Sequence, residues 1–159
     1  MENFNIRTGF GYDVHRLVKG RKLILGGVGI ESEFGLDGHS DADVLLHSLC
    51  DALLGAAGFK DIGNQFPDTD DKYKNISSLI LLKDSYELLK NEGWKVGNTD
   101  SVIILEEPKI FRHSDQMKKN ISDIIETCNV SIKATTSEGI GFVGTKEGCA
   151  AYSTVLIYK

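Results

Sequence analysis

Cysteine is scarce in this chain and poorly placed for structural use. Cys50, Cys128 and Cys149 lie far apart without C-x-x-C spacing, and an odd count argues against a disulfide framework, leaving them to be read as buried small hydrophobes. Long apolar runs are missing as well. Stretches such as Val102-Ile103-Ile104-Leu105 are far too short to cross a bilayer, and Met1-Glu2-Asn3-Phe4-Asn5 has no basic-then-apolar signal pattern, so the expected location is the cytoplasm. Positive charge is in deficit. A net charge of -5 makes the chain a poor nonspecific nucleic-acid binder, because that affinity comes from neutralising phosphates with Lys and Arg. A small phosphorylated substrate stays open, since a metal and a few local cations can reverse the field inside one cleft. Nothing reads G-x-x-x-x-G-K-[ST], and Gly9-Phe10-Gly11-Tyr12-Asp13-Val14 lacks the third glycine of a dinucleotide fingerprint. There is no internal repeat, linker or low-complexity tract.

What is present is a globular composition, 41% hydrophobic and 26% charged over 159 residues. That length suits one domain, which removes roughly two thirds of its unfolded surface from water. Residues 5–10 read as a short opening strand that runs out at glycine and delivers Asp13 and His15 just beyond it, both to one side of an extended backbone. Segments 22–25 and 28–30 flank Gly26-Gly27 and predict a hairpin; 31–38 reads as loop. Ser40, three residues before Asp43, gives a weak variant of a capping box, and Leu45, Leu49, Ala52 and Ala56 keep helical spacing up to a stop at Gly58. Further helices are expected over 77–91 and 114–127, and strands over 94–105 (broken near Gly97-Asn98), 130–136 and 151–158. The interleaving predicts an α/β (α+β) fold: a ferredoxin-like two-layer sandwich with a mixed sheet and helices on one face.

The chemistry concentrates in a few places. If Asp13 and His15 meet His47, two imidazoles and a carboxylate converge with one position left for substrate, which is catalytic rather than structural zinc chemistry. Asp43, four residues before His47, reads as a partner on the same helix face or a local acid. His39, read as lying at a helix start, offers either an imidazole beside free amides for a phosphate or simply an exposed loop histidine. His113 reads as surface. Thr135-Thr136-Ser137-Glu138 could bind phosphate oxygens through hydroxyls and a hard cation through the carboxylate, and the following 139–144 reads as a flexible hairpin loop that includes Phe142. Phe66-Pro67-Asp68-Thr69-Asp70 reads as an acidic turn, and backbone groups of Glu107-Pro108-Lys109-Ile110-Phe111 could read a base edge.

Taken together, Gly11-Tyr12-Asp13-Val14-His15, the long block from His39 through Ala56, Asp61-Ile62-Gly63, Phe66-Pro67-Asp68-Thr69-Asp70, Pro108-Lys109 and Lys133-Ala134-Thr135-Thr136 resemble the 2-C-methyl-D-erythritol 2,4-cyclodiphosphate synthase family. The resemblance covers essentially the whole chain as one domain, 1–159. It implies a homotrimer with active sites at subunit boundaries, a substrate carrying a cytidine diphosphate, and release of CMP as a phosphate attacks the diphosphate. It implies Zn2+ on Asp13, His15 and His47, and a second divalent ion, Mg2+ or Mn2+, at Glu138. It assigns His39, Ser40 and Thr136 to the reacting phosphates, and Thr135 to the diphosphate as well. Asp61 and Gly63 fall near the ribose, Asp68 and Asp70 on a loop around the methylerythritol portion. Leu105, Pro108, Lys109, Ile110 and Phe111 match the cytidine-binding stretch, and Phe142 a further substrate contact. Family members carry arginine where this chain has Thr145, facing a central trimer cavity for isoprenoid diphosphates; Lys146 is the neighbouring cation. Two other readings use the same residues: a metal-dependent phosphohydrolase admitting water, and a noncatalytic nucleotide- or isoprenoid-binding module.

Overall fold

The computed structural model describes residues 5–67, 71–73 and 75–159. The expected opening strand is only the first part of a longer one. Strand β1 (Ile6–Lys19) continues through both glycines and through Asp13 and His15, because nearly its whole length pairs antiparallel with β7 (Gly148–Tyr158), from Ile6 opposite Tyr158 to Arg16 opposite Gly148. The hairpin of β2 (Leu23–Leu25) and β3 (Val28–Ile30) forms as expected, with Gly26 and Gly27 both at positive φ. The segment expected to be loop contains β4 (Phe34–Leu36), which pairs with the end of β1. Strand β5 (Lys95–Ile104) runs antiparallel to β7 and parallel to β6 (Val130–Thr135), and its register shifts between Val96 and Asn98, where the break was expected. The sheet order is β4-β1-β7-β5-β6, a mixed sheet.

Helices α1 (Val44–Ala57), α3 (Ser78–Asn91) and α4 (Ser114–Ile125) bury the apolar stripes read from the sequence, including Leu45, Leu49 and Ala52, Leu82 and Leu89, and Met117 and Ile121. Each fully buried leucine contributes about 1.5–3 kcal/mol relative to exposure. Cys50 and Cys149 are buried within the fold, whereas Cys128 is exposed. Helix α1 begins later than expected: Ala42 has a left-handed φ of 55°, which interrupts helical geometry, and Asp43 is the N-cap, accepting from Leu46 N at 3.2 Å. Ser40 instead accepts the Ala42 amide at 3.1 Å, so no capping box with Asp43 forms. The helix ends at Gly58, left-handed at φ 87°, as its sequence predicts. Two short helices, α2 (Ile62–Gln65) and α5 (Gly141–Gly144), lie in the connections.

The seating of α1 on β1 positions the site. A Cβ at Gly9 would lie 1.9 Å from the Ala52 carbonyl oxygen, and one at Gly11 would lie 1.9 Å from that of Ser48. Two strand residues advance about 6.6 Å and four helix residues about 6 Å, so successive helix turns find successive glycines. Alternation then puts Asp13 and His15 on the same face as the glycines, under the helix turn that holds His47. The opposite face carries exposed Phe10, Tyr12 and Val14, with Tyr12 against Tyr152 at a ring separation of 4.7 Å.

Gly11→Ala should therefore force α1 off the sheet. The expected loss of stability is at least the upper end of ordinary overpacking, about 3 kcal/mol, measured by urea unfolding. A variant as stable as the parent would show that the helix does not depend on this close approach.

Candidate active site

Strand β1 supplies Asp13 and His15, and the first turn of α1 supplies His47. Asp13 Oδ2 lies 2.9 Å from His15 Nε2 and 3.0 Å from His47 Nδ1, and the two ring nitrogens are 3.1 Å apart. A tetrahedral ion with bonds of about 2.0–2.2 Å holds its ligand atoms about 3.3 Å apart, so this triangle is close to the width of one zinc. Among the described residues it is the one group of His, Cys, Asp and Glu arranged to hold a metal ion.

The ring nitrogens turned away from the triangle are also occupied. His15 Nδ1 lies 2.7 Å from the Asp37 carbonyl oxygen, which can only accept, so Nδ1 carries a proton and Nε2 is the lone pair of the neutral ring. His47 Nε2 faces Ser78 Oγ at 2.9 Å and Ser40 Oγ at 3.1 Å. Burial disfavours the charged forms of Asp13 and His15, but their hydrogen bonds overrule it. The Asp13 carboxyl is held well below the usual carboxylate range by His15 and His47, and His15 is raised chiefly by Asp13. The donor set thus fits a cation: a proton between these groups fills the same gap, and a metal ion must displace it.

The Asp43 carboxylate is not a partner of the His47 ring. As the N-cap, Asp43 takes the His47 amide on its carbonyl at 3.0 Å, while its fully buried carboxylate accepts from Gly27 N at 2.7 Å and from Leu46 N. Burial pushes it up to about 6, against the pull of those amides. His39 lies well before the helix start, and the Leu46 amide of the first turn is taken by the Asp43 carboxylate.

The triad opens into a cleft of about 300 Å³, with His39, Ser40 and Gly63 on its polar side and Ile62, Phe66, Tyr73 and Leu81 forming an apolar wall. Asp61 caps α2 nearby, accepting from Asn64 N and Nδ2 at 2.8 Å each. Asp68 and Asp70 lie outside the described residues. A separate cleft of about 380 Å³ brings Leu105, Pro108, Lys109, Ile110 and Phe111 against Thr135 and Thr136. The apolar wall of the first cleft and the hydroxyl of Ser78 carried no signal in the sequence, because they come from segments distant along the chain. Glu106 was also missed; it accepts from Ser137 N at 2.8 Å and from Ser137 Oγ at 3.1 Å, tying together the segments after β5 and β6.

Glu138 is exposed and left-handed at φ 55°, accepting from Thr136 Oγ1 at 2.8 Å. The loop expected after it is helical: Thr145 N returns to the Gly141 carbonyl at 3.0 Å, and α5 carries Phe142, 44% exposed. Glu138 and Phe142 are in the wall of neither cleft. His113 lies in a single helical turn over Phe111–His113, its Nε2 accepting from Arg112 Nε at 3.1 Å.

Two imidazoles and a carboxylate at the mouth of a cleft, carried on a mixed sheet backed by helices, define a metal-dependent enzyme. The chain belongs to the YgbB family, whose model matches residues 6–158. It is 54% identical over 154 residues to the 2-C-methyl-D-erythritol 2,4-cyclodiphosphate synthase of Syntrophomonas wolfei, covering 96% of this chain and 98% of that protein. The bifunctional IspDF of Campylobacter jejuni superimposes with a TM-score of 0.94 at 44% identity, over 98% of this chain and 43% of that one. IspF of Plasmodium falciparum, in complex with CDP, gives a TM-score of 0.83 at 33% identity, over 96% of both chains.

The geometry predicts about one tightly held zinc per chain. His47→Ala should lose most of it, and unchanged zinc by elemental analysis would defeat the assignment. Because a proton on His15 must leave for the metal and its titration is raised, affinity should hold at high pH and weaken as pH falls through that range. One displaced proton corresponds to about tenfold per pH unit, read by chelator competition.

Proposed function

We infer that this chain is a 2-C-methyl-D-erythritol 2,4-cyclodiphosphate synthase. It converts 4-diphosphocytidyl-2-C-methyl-D-erythritol 2-phosphate to the cyclic 2,4-diphosphate and CMP. An oxygen of the 2-phosphate attacks the β-phosphorus, a P–O bond forms there, and the bond to the oxygen of the departing CMP breaks. The observation that carries this reading is the Asp13–His15–His47 triangle opening on a cleft with a polar and an apolar side, in a chain of this family. No protein nucleophile is required, because the attacking phosphate is already anionic. The difficulty is bringing anions together in the right orientation.

The residues divide that task. Asp13, His15 and His47 would hold zinc and Glu138 a magnesium or manganese ion, supplying positive charge that orients the phosphates and stabilises the charge developing on them. His39 and Ser40, beside the triad, are placed to donate to a phosphate, while Ile62, Phe66, Tyr73 and Leu81 shield the methylerythritol carbons from water. Gly63 leaves room for the sugar beside Asp61, and Asp68 and Asp70 belong by family match to the loop around it. Leu105, Pro108, Lys109, Ile110 and Phe111 would take the cytosine, with Thr135 and Thr136 at its diphosphate, so that remote binding energy locates the reacting end.

The two clefts are separate within one chain, which supports a site completed between chains; by family resemblance the subunit is ferredoxin-like and the assembly a homotrimer. In it, one chain's metal cleft would face the next chain's cytidine cleft. The exposed Phe10, Tyr12, Val14 and Tyr152 give the sheet an apolar face to bury in that assembly. Glu138, bonded to Thr136 at the edge of the second cleft, and Phe142, in the wall of neither, would join the site there. An isoprenoid diphosphate in a central cavity would meet Thr145, bonded to Glu147, and Lys146, paired with Glu107 at 2.9 Å.

Phosphorus NMR tests the reaction: equimolar CMP and cyclic diphosphate are expected, and inorganic phosphate without cyclic product would point to a hydrolase. His39→Ala should lower turnover far more than zinc content. Light scattering should give the mass of three chains, and a fully active monomer would reject the shared site.

A further inference from the structure

His47 can serve a metal through Nδ1 only if that nitrogen is bare, which in a neutral imidazole requires the proton on Nε2. The two hydroxyls facing Nε2 do not decide this by themselves, since a hydroxyl can accept from Nε2–H or donate to a bare nitrogen. Ser78 has no such choice. Its Oγ donates to Asp41 Oδ1, and the other Asp41 oxygen accepts the Ser78 backbone N–H at 3.0 Å. A carboxylate only accepts, so the Ser78 proton lies toward Asp41 and its lone pairs face His47 Nε2, 2.9 Å away. Among the described residues, no carboxylate sets the direction of Ser40, at 3.1 Å from the same nitrogen.

The arrangement is built across the fold. Asp41 precedes α1, and its amide donates to the Ile76 carbonyl at 3.1 Å, while Asn75 N donates to the His39 carbonyl at 2.9 Å, joining the approach to α1 with the approach to α3. Ser78 is fully buried in the first turn of α3, out of competition with water.

We propose that Asp41 and Ser78 are positioning residues for the metal. The carboxylate orients the hydroxyl, the hydroxyl holds the His47 proton on Nε2, and Nδ1 is kept as the lone pair that faces Asp13 and His15. This rests on the reading of Asp13, His15 and His47 as metal ligands. Asp41→Asn exposes the logic most sharply, because it preserves shape and reverses direction. The amide oxygen can keep the Ser78 N–H, but its NH2 then donates to Ser78 Oγ. The hydroxyl turns to donate to His47 Nε2, and the ring proton moves to Nδ1.

Without metal, the Asp13 carboxylate at 3.0 Å and the His15 Nε2 lone pair at 3.1 Å also compete for a proton on His47 Nδ1. The test therefore reads the His47 tautomer by long-range 1H–15N correlation in an Asp13→Ala/His15→Ala background, above the imidazole titration, and zinc affinity by chelator competition with Asp13 and His15 intact. In the background His47 should be protonated on Nε2, and adding Asp41→Asn should populate the Nδ1–H form; with the ligands intact, both Asp41→Asn and Ser78→Ala should bind zinc about 10–100-fold more weakly. An Nδ1–H tautomer in the background overturns the proposal without any change at Asp41 or Ser78, even if substitutions there impair folding. Weaker zinc binding in Asp41→Asn with the tautomer unchanged overturns it too, because the loss is then merely structural. So does zinc affinity within twofold of native in both variants. The expected tautomer together with a native chain that binds no zinc would instead defeat the metal reading, a distinct result because the tautomer is read without metal.

Discussion

Helix α1 lies so close on strand β1 that its carbonyl oxygens at Ser48 and Ala52 occupy the space where side chains at Gly11 and Gly9 would stand. That contact sets the height of His47 above Asp13 and His15 to within hydrogen-bonding distance. The same strand alternation that leaves glycine under the helix leaves Phe10, Tyr12 and Val14 on the other face. One face is therefore committed to holding a ligand set, and the other is free to be buried in an assembly. The metal site and the apolar surface are two consequences of one helix–strand approach.

The site concentrates lone pairs and negative charge in a chain that is already anionic, and its substrate carries phosphates. Such an arrangement is stable only with a positive charge between the donors, whether a proton or a metal ion. The surroundings are arranged to leave the donor atoms available. The Asp37 carbonyl accepts from His15 Nδ1, and the serine hydroxyls meet His47 Nε2, so the outer faces of both rings are satisfied by protein groups. A cation held there turns a repulsive pocket into one that accepts phosphate, which reconciles the overall charge with the chemistry.

Much of this was legible along the chain. Local signals act over a few residues: Gly26-Gly27 marked a hairpin, the apolar stripes of α1, α3 and α4 marked buried faces, and Gly58 marked a stop. Asp13 and His15, two apart in extended backbone, could be placed on one face without coordinates. The misreadings were of another kind. Strand β1 did not end at its glycines, because pairing with β7 outweighs the local weakness of glycine and α1 requires the space. The Asp43 carboxylate did not turn to the His47 ring, because the left-handed Ala42 delays the helix and makes Asp43 its cap. The stretch after Glu138 closed into a short helix rather than an open hairpin loop.

The amino-acid sequence by itself determined the long helices, most of the strands, the candidate ligand residues and the family to which they belong, since these depend on residue type and near-neighbour spacing. Tertiary structure alone decided that His47 reaches Asp13, that Ser78 from the start of another helix meets His47, and that the residues expected around cytidine form a cleft apart from the metal. The reason is physical: hydrogen-bond direction and the convergence of donors depend on distances of a few ångströms between segments far apart in the chain. Only the packing of α1, α3 and the sheet fixes those distances.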